Sequence, residues 1–160
     1  MGVTGSELRI RRARPEEAER LTTLIRRSKA HWGYDAALLD AWRPDLTLDR
    51  ETIARDPVYC AEDTESGIVL GVSHFYGLNS EEVYLDHLFV EPASIGQGVG
   101  SALWRHAIEQ ARAAGARSIV FGADPHARPF YERMGAVVVD WRESSIVPGR
   151  RNPYLRFDLL

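Results

Sequence analysis

Three glycines at alternate positions, Gly96, Gly98 and Gly100, run directly into a segment with helical periodicity. This junction limits the possible folds more than any other stretch. From Gly98 to Ala114 the apolar residues Val99, Leu103, Ala107 and Ala111 recur every four positions, with Arg105, Glu109 and Arg112 on the polar side; an amphipathic helix is predicted, and Gly115 suits its C-terminal cap. Before the glycines, VYLDHLFV reads as a strand, followed by a turn at Pro92. Such a strand, turn and helix start leave the first helical N–H groups pointing out of the loop, where they can hold phosphate oxygens. Glycines also serve any tight turn that needs positive φ, and from the triplet alone both readings stand.

Two phosphate-binding motifs are excluded by the letters themselves. A Walker A loop ends in Gly-Lys-Ser/Thr, whereas this loop reads Gly98-Val99-Gly100-Ser101 with no lysine. A dinucleotide fingerprint begun at Gly96 requires glycine at position 101, which is serine, and the repeated βαβ units of that fold are missing.

The remaining composition narrows the class. The 160 residues predict one domain, 1–160, with a real core. Twenty basic against 23 acidic residues give a net charge of -3, so no global field attracts nucleic acid or an anionic membrane. Cys60 has no disulfide partner, and neither it nor the five scattered histidines show zinc-type spacing, so no metal is expected. The first residues lack the apolar core of a secretory signal, and no window approaches the ~18 apolar residues of a membrane span. A cytoplasmic protein is expected.

Residues 7–13 alternate as a first strand, and 14–32 turn helical, with Pro15, Glu16 and Glu17 suited to a first turn and Ala18, Leu21, Leu24 and Ile25 as the buried stripe. A second helical piece covers 35–42, and a polar stretch, TLDRETIARD, leads on. Residues 57–64, 67–79 and 82–90 read as three strands in a meander. After the glycine loop and its helix come a strand at 117–123, a short helix at 126–135, and strands at 136–141 and 152–159. The predicted order is β-α-α-β-β-β-α-β-α-β-β.

The strand LDHLFV, the glycine loop and a downstream DPHARPFYERMG resemble the GNAT superfamily of acetyl-CoA-dependent N-acetyltransferases. The family pattern of Arg or Gln, two residues, Gly, one residue, and Gly or Ala falls on Ile95, Gly96, Gln97, Gly98, Val99 and Gly100, with Ile95 departing from it. The resemblance implies an α/β fold of the α+β type, with a mixed, mostly antiparallel central sheet flanked by helices and splayed beside its fourth strand. It further implies that the loop amides, through Ser101, hold the pyrophosphate of acetyl-CoA, and that Leu88, Phe89 and Val90 pair their backbone with the pantetheine arm. The family's Asn-x-x-Ala-x-x-Phe-Tyr pattern matches Asp124, Ala127, Phe130 and Tyr131, with Asp124 a second departure. Aspartate accepts a hydrogen bond there but cannot donate one as asparagine does. A homodimer through sheet edges or the last strands is also implied.

Acetyl transfer needs a neutral amine and a proton donor for the departing thiolate. A lysine-type amine titrates near ~10.4 and an α-amino group at about 7.7 to 8.0, so the first needs more help at neutral pH. The resemblance gives Tyr131 the general-acid role. Asp86 and His87 stand in an otherwise apolar strand, where consecutive residues face opposite sides, so one of the two is expected to face the acceptor as base. Alternatively His87 is a hydrogen-bonded core histidine and Asp86 an arginine's partner. His31, Trp32, Tyr34 and Trp42 concentrate after the first helix, either lining an acceptor pocket or packing the helices on the sheet. Arg150 and Arg151 are placed to greet an anionic group of the substrate. A small-molecule amine is the expected acceptor; a protein N-terminus or lysine is the second reading, and a non-catalytic acyl-CoA sensor is the alternative of another class.

Overall fold

The computed structural model describes residues 7–160. Its strands are β1 (Leu8–Arg12), β2 (Val58–Asp63), β3 (Val69–Tyr76), β4 (Glu82–Val90), β5 (Ser118–Gly122), β6 (Val137–Glu143) and β7 (Arg151–Asp158), and its helices α1 (Ala18–Ala30), α2 (Ala36–Ala41), α3 (Arg50–Arg55), α4 (Val99–Ala113) and α5 (Arg128–Arg133). In sheet order the strands run β1-β2-β3-β4-β5-β7-β6. The neighbours are antiparallel at β1/β2, β2/β3, β5/β7 and β6/β7, and parallel at β4/β5. The parallel step follows from the chain itself, since β4 reaches β5 through the long crossover helix α4. The predicted element order holds, with one addition. The polar stretch after α2 contains α3, whose start is capped where Asp49 Oδ1 accepts from Thr52 N at 2.8 Å.

By internal contacts the chain forms two compact units, each made of two stretches. One comprises Met1–Phe75 with His87–His106, the other Tyr76–Asp86 with Ala107–Leu160. Neither is a continuous run of sequence.

In the first unit, Arg11 of β1 donates to Glu17 at 2.9 and 2.8 Å, just ahead of α1, and to Glu62 of β2 at 2.9 Å. The bidentate geometry suits a guanidinium. Leu21, Leu24 and Ile25 are buried as the periodicity predicts. Val99 and Leu103 of α4 pack with Ala61 of β2, flanked by Leu8, Ile10, Leu70, Leu88 and Val90. Gly71 permits this approach: a Cβ there would lie 2.9 Å from both Leu103 Cδ1 and Val99 Cγ1. The first turns of α4 are thereby seated directly on β3.

In the second unit, the β4–β5 register runs from Glu82↔Ser118 to Tyr84↔Val120, while β5 keeps its β7 partners through Phe121↔Leu155 and Gly122↔Tyr154. The two parallel strands part after Tyr84. Ile119, Phe121 and Leu155 are buried, and so are Ala107 and Ala111 from the same stripe of α4.

Candidate active site

The glycine loop leaves β4 with Glu91 N bonded to Leu70 O at 2.8 Å, and Ser94 N, Ile95 N and Gln97 N each bond within the loop. Gly96 and Gly98 sit at φ 83° and 88°, where an L side chain is strained. Nothing lies within 4 Å of a Cβ added at either, so the backbone borders open space. Ala102 N is bonded to Gly98 O at 3.0 Å, the first step of the helical ladder. The N–H groups of Val99, Gly100 and Ser101 precede that step and have no intrahelical acceptor. Ile95, at the position of the family's polar residue, is 42 % exposed.

Asp86 and His87 differ in exposure but not in reach: a carboxylate oxygen of Asp86 and a ring nitrogen each of His74 and His87 lie within 4.8 Å of one another. Asp86 is exposed, whereas His87 is buried like Val83 and Leu85. His87 is also fully engaged. Its Nδ1 lies 3.1 Å from Nδ1 of His74 on β3, and its Nε2 lies 2.9 Å from the carbonyl of Asp45. His74 Nε2 in turn meets Asp56 Oδ2 at 2.8 Å. The Asp56 carboxyl is pushed up by burial, but the bonds from Arg55 and His74 outweigh this and leave it below its ordinary range. The sequence marks His74 only as a polar residue within the apolar run GVSHFYG.

The aromatic segment after α1 packs on itself. Trp32 is 40 % exposed with its ring edge-on to His31, and Tyr34 meets the buried Trp42 edge to face at 4.8 Å. Lys29, the only lysine in the chain, lies over both, 4.4 Å from the Trp42 ring and 5.3 Å from that of Tyr34. Cation–π attraction to two rings orders this cluster. Beside it, an open cavity of about 790 Å³ is lined by α1 and α2, with Arg26, Arg27, Asp40 and Arg43 as its charged groups and Leu46 among its apolar ones; His31, Trp32, Tyr34 and Trp42 do not line it. Arg27 bonds Glu91 at 2.7 Å and Arg43 bonds Asp40 at 2.8 Å.

In the second unit, Asp124 caps the turn Pro125–Ala127: its Oδ1 accepts from His126 N at 2.8 Å, and its Oδ2 pairs with Arg150 at 3.4 Å. Arg150 therefore answers a carboxylate of its own chain, and Arg151 begins β7. Ala127 and Phe130 are half-buried. Tyr131 is 6 % exposed, its ring 4.5 Å from Phe121 and 5.1 Å from Phe130. Burial holds its phenol above the ordinary value, which keeps the proton on oxygen.

Among the described residues no helix is long and apolar enough to cross a membrane. The sequence pattern of the acetyltransferase (GNAT) family matches residues 18–136. The peptidyl-lysine N-acetyltransferase YjaB of Salmonella typhimurium is 33% identical over 135 residues, 80% of this chain and 82% of that protein. The fold is similar to the PaiA N-acetyltransferase of Thermoplasma acidophilum solved with coenzyme A, at a TM-score of 0.78 and 16% identity over 95% of this chain and 99% of the other. It is also similar to YncA, a putative acetyltransferase of Salmonella typhimurium solved with acetyl-CoA, at 0.67 and 22% over 96% and 95%. A family pattern that spans most of the chain, on a fold shared nearly end to end, makes this protein an acyltransferase of the GNAT acetyltransferase family.

Proposed function

We propose that this protein moves an acetyl group from acetyl-CoA to a primary amine by direct transfer while both are bound. The observation that carries the reading is the start of α4, where N–H groups without intrahelical acceptors follow two positive-φ glycines bordered by open space. Those amides fit a pyrophosphate, and the helix dipole adds to the attraction. When bound, acetyl-CoA supplies an acetyl group already activated as a thioester.

The chain's own residues divide the remaining work. The backbone of Leu88, Phe89 and Val90 would hold the pantetheine arm, and one of its N–H groups would supply a hydrogen bond to the thioester carbonyl. Asp86, whose carboxylate is exposed, takes the amine's proton directly or through water. His87 spends both ring nitrogens on bonds to the protein and is not the direct base. Tyr131, held protonated by burial, gives its proton to the departing sulfur. Cys60 is fully buried and its thiol is pushed up to about 12 by burial, which argues against a covalent acetyl-cysteine route.

A cavity between α1 and α2 supports a small-molecule amine as acceptor, although Ala30, Ala36, Leu39 and Asp40 line it rather than His31, Trp32 or Tyr34. The identity with a peptidyl-lysine acetyltransferase favours a second reading, a lysine side chain of a peptide. Thermal unfolding with acetyl-CoA, CoA and ATP tests the cofactor first. A ligand at ~100 times its dissociation constant adds about 2.7 kcal/mol, so both CoA species should raise Tm and ATP should not. Thiol release with mixed small amines and with lysine peptides then separates the two acceptors, and release with neither would leave a CoA-binding sensor.

A further inference from the structure

One continuous chain of hydrogen bonds fastens both ends of the segment from Asp45 to Asp56 to the sheet. It runs from the Asp45 carbonyl to His87 Nε2 at 2.9 Å, from His87 Nδ1 to His74 Nδ1 at 3.1 Å, and from His74 Nε2 to Asp56 Oδ2 at 2.8 Å. Both imidazoles are buried, His74 at 4 % and His87 at 7 % exposure. The rings lie 19° from parallel with centroids 5.4 Å apart, so with their nitrogens at 3.1 Å they meet edge to edge.

The acceptors at the two ends of this chain fix the protons on both Nε2 atoms. The Asp45 carbonyl only accepts, so His87 Nε2 must carry hydrogen, and the Asp56 carboxylate only accepts, so His74 Nε2 must carry hydrogen too. Two neutral rings are then used up, and their Nδ1 lone pairs would face each other at 3.1 Å. A third proton between the Nδ1 atoms turns that repulsion into a charge-assisted hydrogen bond. Asp56 is placed to balance the added charge.

We propose that His74 and His87 are a positioning pair that shares one extra proton, and that this proton holds the Asp45–Asp56 segment against the sheet. The charged groups around the pair are Asp56 and Arg55 at the end of α3, Arg12 of β1, which donates to the Asp56 carbonyl at 2.8 Å, Asp45 on the connection before α3, and Asp86 of β4, whose carboxylate lies within 4.8 Å of a nitrogen of each ring and adds a second anion in favour of the shared proton. Thr22 of α1 pins the same segment independently, exchanging hydrogen bonds with Leu48 at 3.1 and 3.0 Å. The signs set a window. The clamp weakens as rising pH removes the shared proton, and it weakens again in acid once the lowered Asp56 carboxyl is protonated. Leu46, next to the anchored Asp45, lines the α1–α2 cavity, so on the acceptor reading given above the same proton sets the Michaelis constant for the amine.

The test uses chelator-treated, 15N-labelled whole protein and needs no variant for its first arm. Long-range 1H–15N spectra from about pH 5 to 8 should show one shared titration step for His74 and His87, with Nε2–H on both rings above it. Tryptic cleavage after Arg50 and Arg55, corrected for trypsin's own pH dependence, should accelerate roughly 10-fold across that step, the effect of losing a hydrogen bond to a charged group. His74→Gln should cleave rapidly at every pH. Separate unshared titrations, a metal ion retained between the rings, or cleavage indifferent to the step would each overturn the proposal. Should the step and the cleavage appear while the amine KM stays constant with pH, the clamp stands and the α1–α2 acceptor site is wrong.

Discussion

Arg150, in the connection between β6 and β7, donates to Asp124 across 3.4 Å, and the same carboxylate caps the turn that leads into α5. The residue that departs from the family's asparagine is therefore committed to its own chain on both oxygens. Asp124→Asn keeps a good cap and regains a donor. It should tighten acetyl-CoA about 2- to 10-fold, the worth of one hydrogen bond, if that donor reaches the pantetheine amide. Titration calorimetry with CoA reads this, and unchanged or weaker binding would show that position 124 serves only the turn.

At the glycine loop, Gly98→Ala meets no neighbouring atom, so its cost is the backbone strain of an L residue at φ 88°. That strain is about 1–2 kcal/mol. The variant should lose a few degrees of Tm without ligand and most of the protection that acetyl-CoA confers. Full retention of the ligand-induced shift would remove the loop from the cofactor site.

Tyr131→Phe leaves the packing against Phe121 and Phe130 intact and removes only the hydroxyl. Turnover should fall at least ~10-fold with little change in the KM for acetyl-CoA. Because burial raises the phenol above its ordinary value, the acid form persists through neutral and alkaline pH. The parent enzyme should show no alkaline loss of kcat from this group below about pH 10. An unaffected kcat in the variant would exclude Tyr131 as the acid.

The Arg11–Glu17 pair governs acid stability. The bidentate bond from Arg11 lowers the Glu17 carboxyl to about 2 against the opposing effect of burial, with the Arg14 N–H assisting. A depressed carboxylate stabilises the fold above its unfolded value and loses that contribution as pH falls toward its folded one. Glu17→Gln should cost about 3 kcal/mol at neutral pH, and the gap should close between about pH 4.5 and pH 2. Urea unfolding across that range is the measurement, and a gap independent of pH would assign the loss to packing instead.

What the sequence determined by itself is whatever neighbours within a turn or a pleat decide. Strand β4 occupies Glu82–Val90, the span its flanking turns predict, and Val99, Leu103, Ala107 and Ala111 are all buried along α4 as their spacing requires. The helix start at Val99 was legible for the same reason, since orphan N–H groups belong to any helix preceded by such a loop. Helix α3 escaped because Ile53 is its one buried residue and no stripe forms; the Asp49 and Thr52 cap was the available signal. Only the tertiary structure decided the site's polar wiring. His74 is 13 residues from His87, 18 from Asp56, and Asp45 is 42 from His87. No local period links such positions. They meet because each strand must bury one face, and a buried imidazole must find partners wherever the sheet brings them.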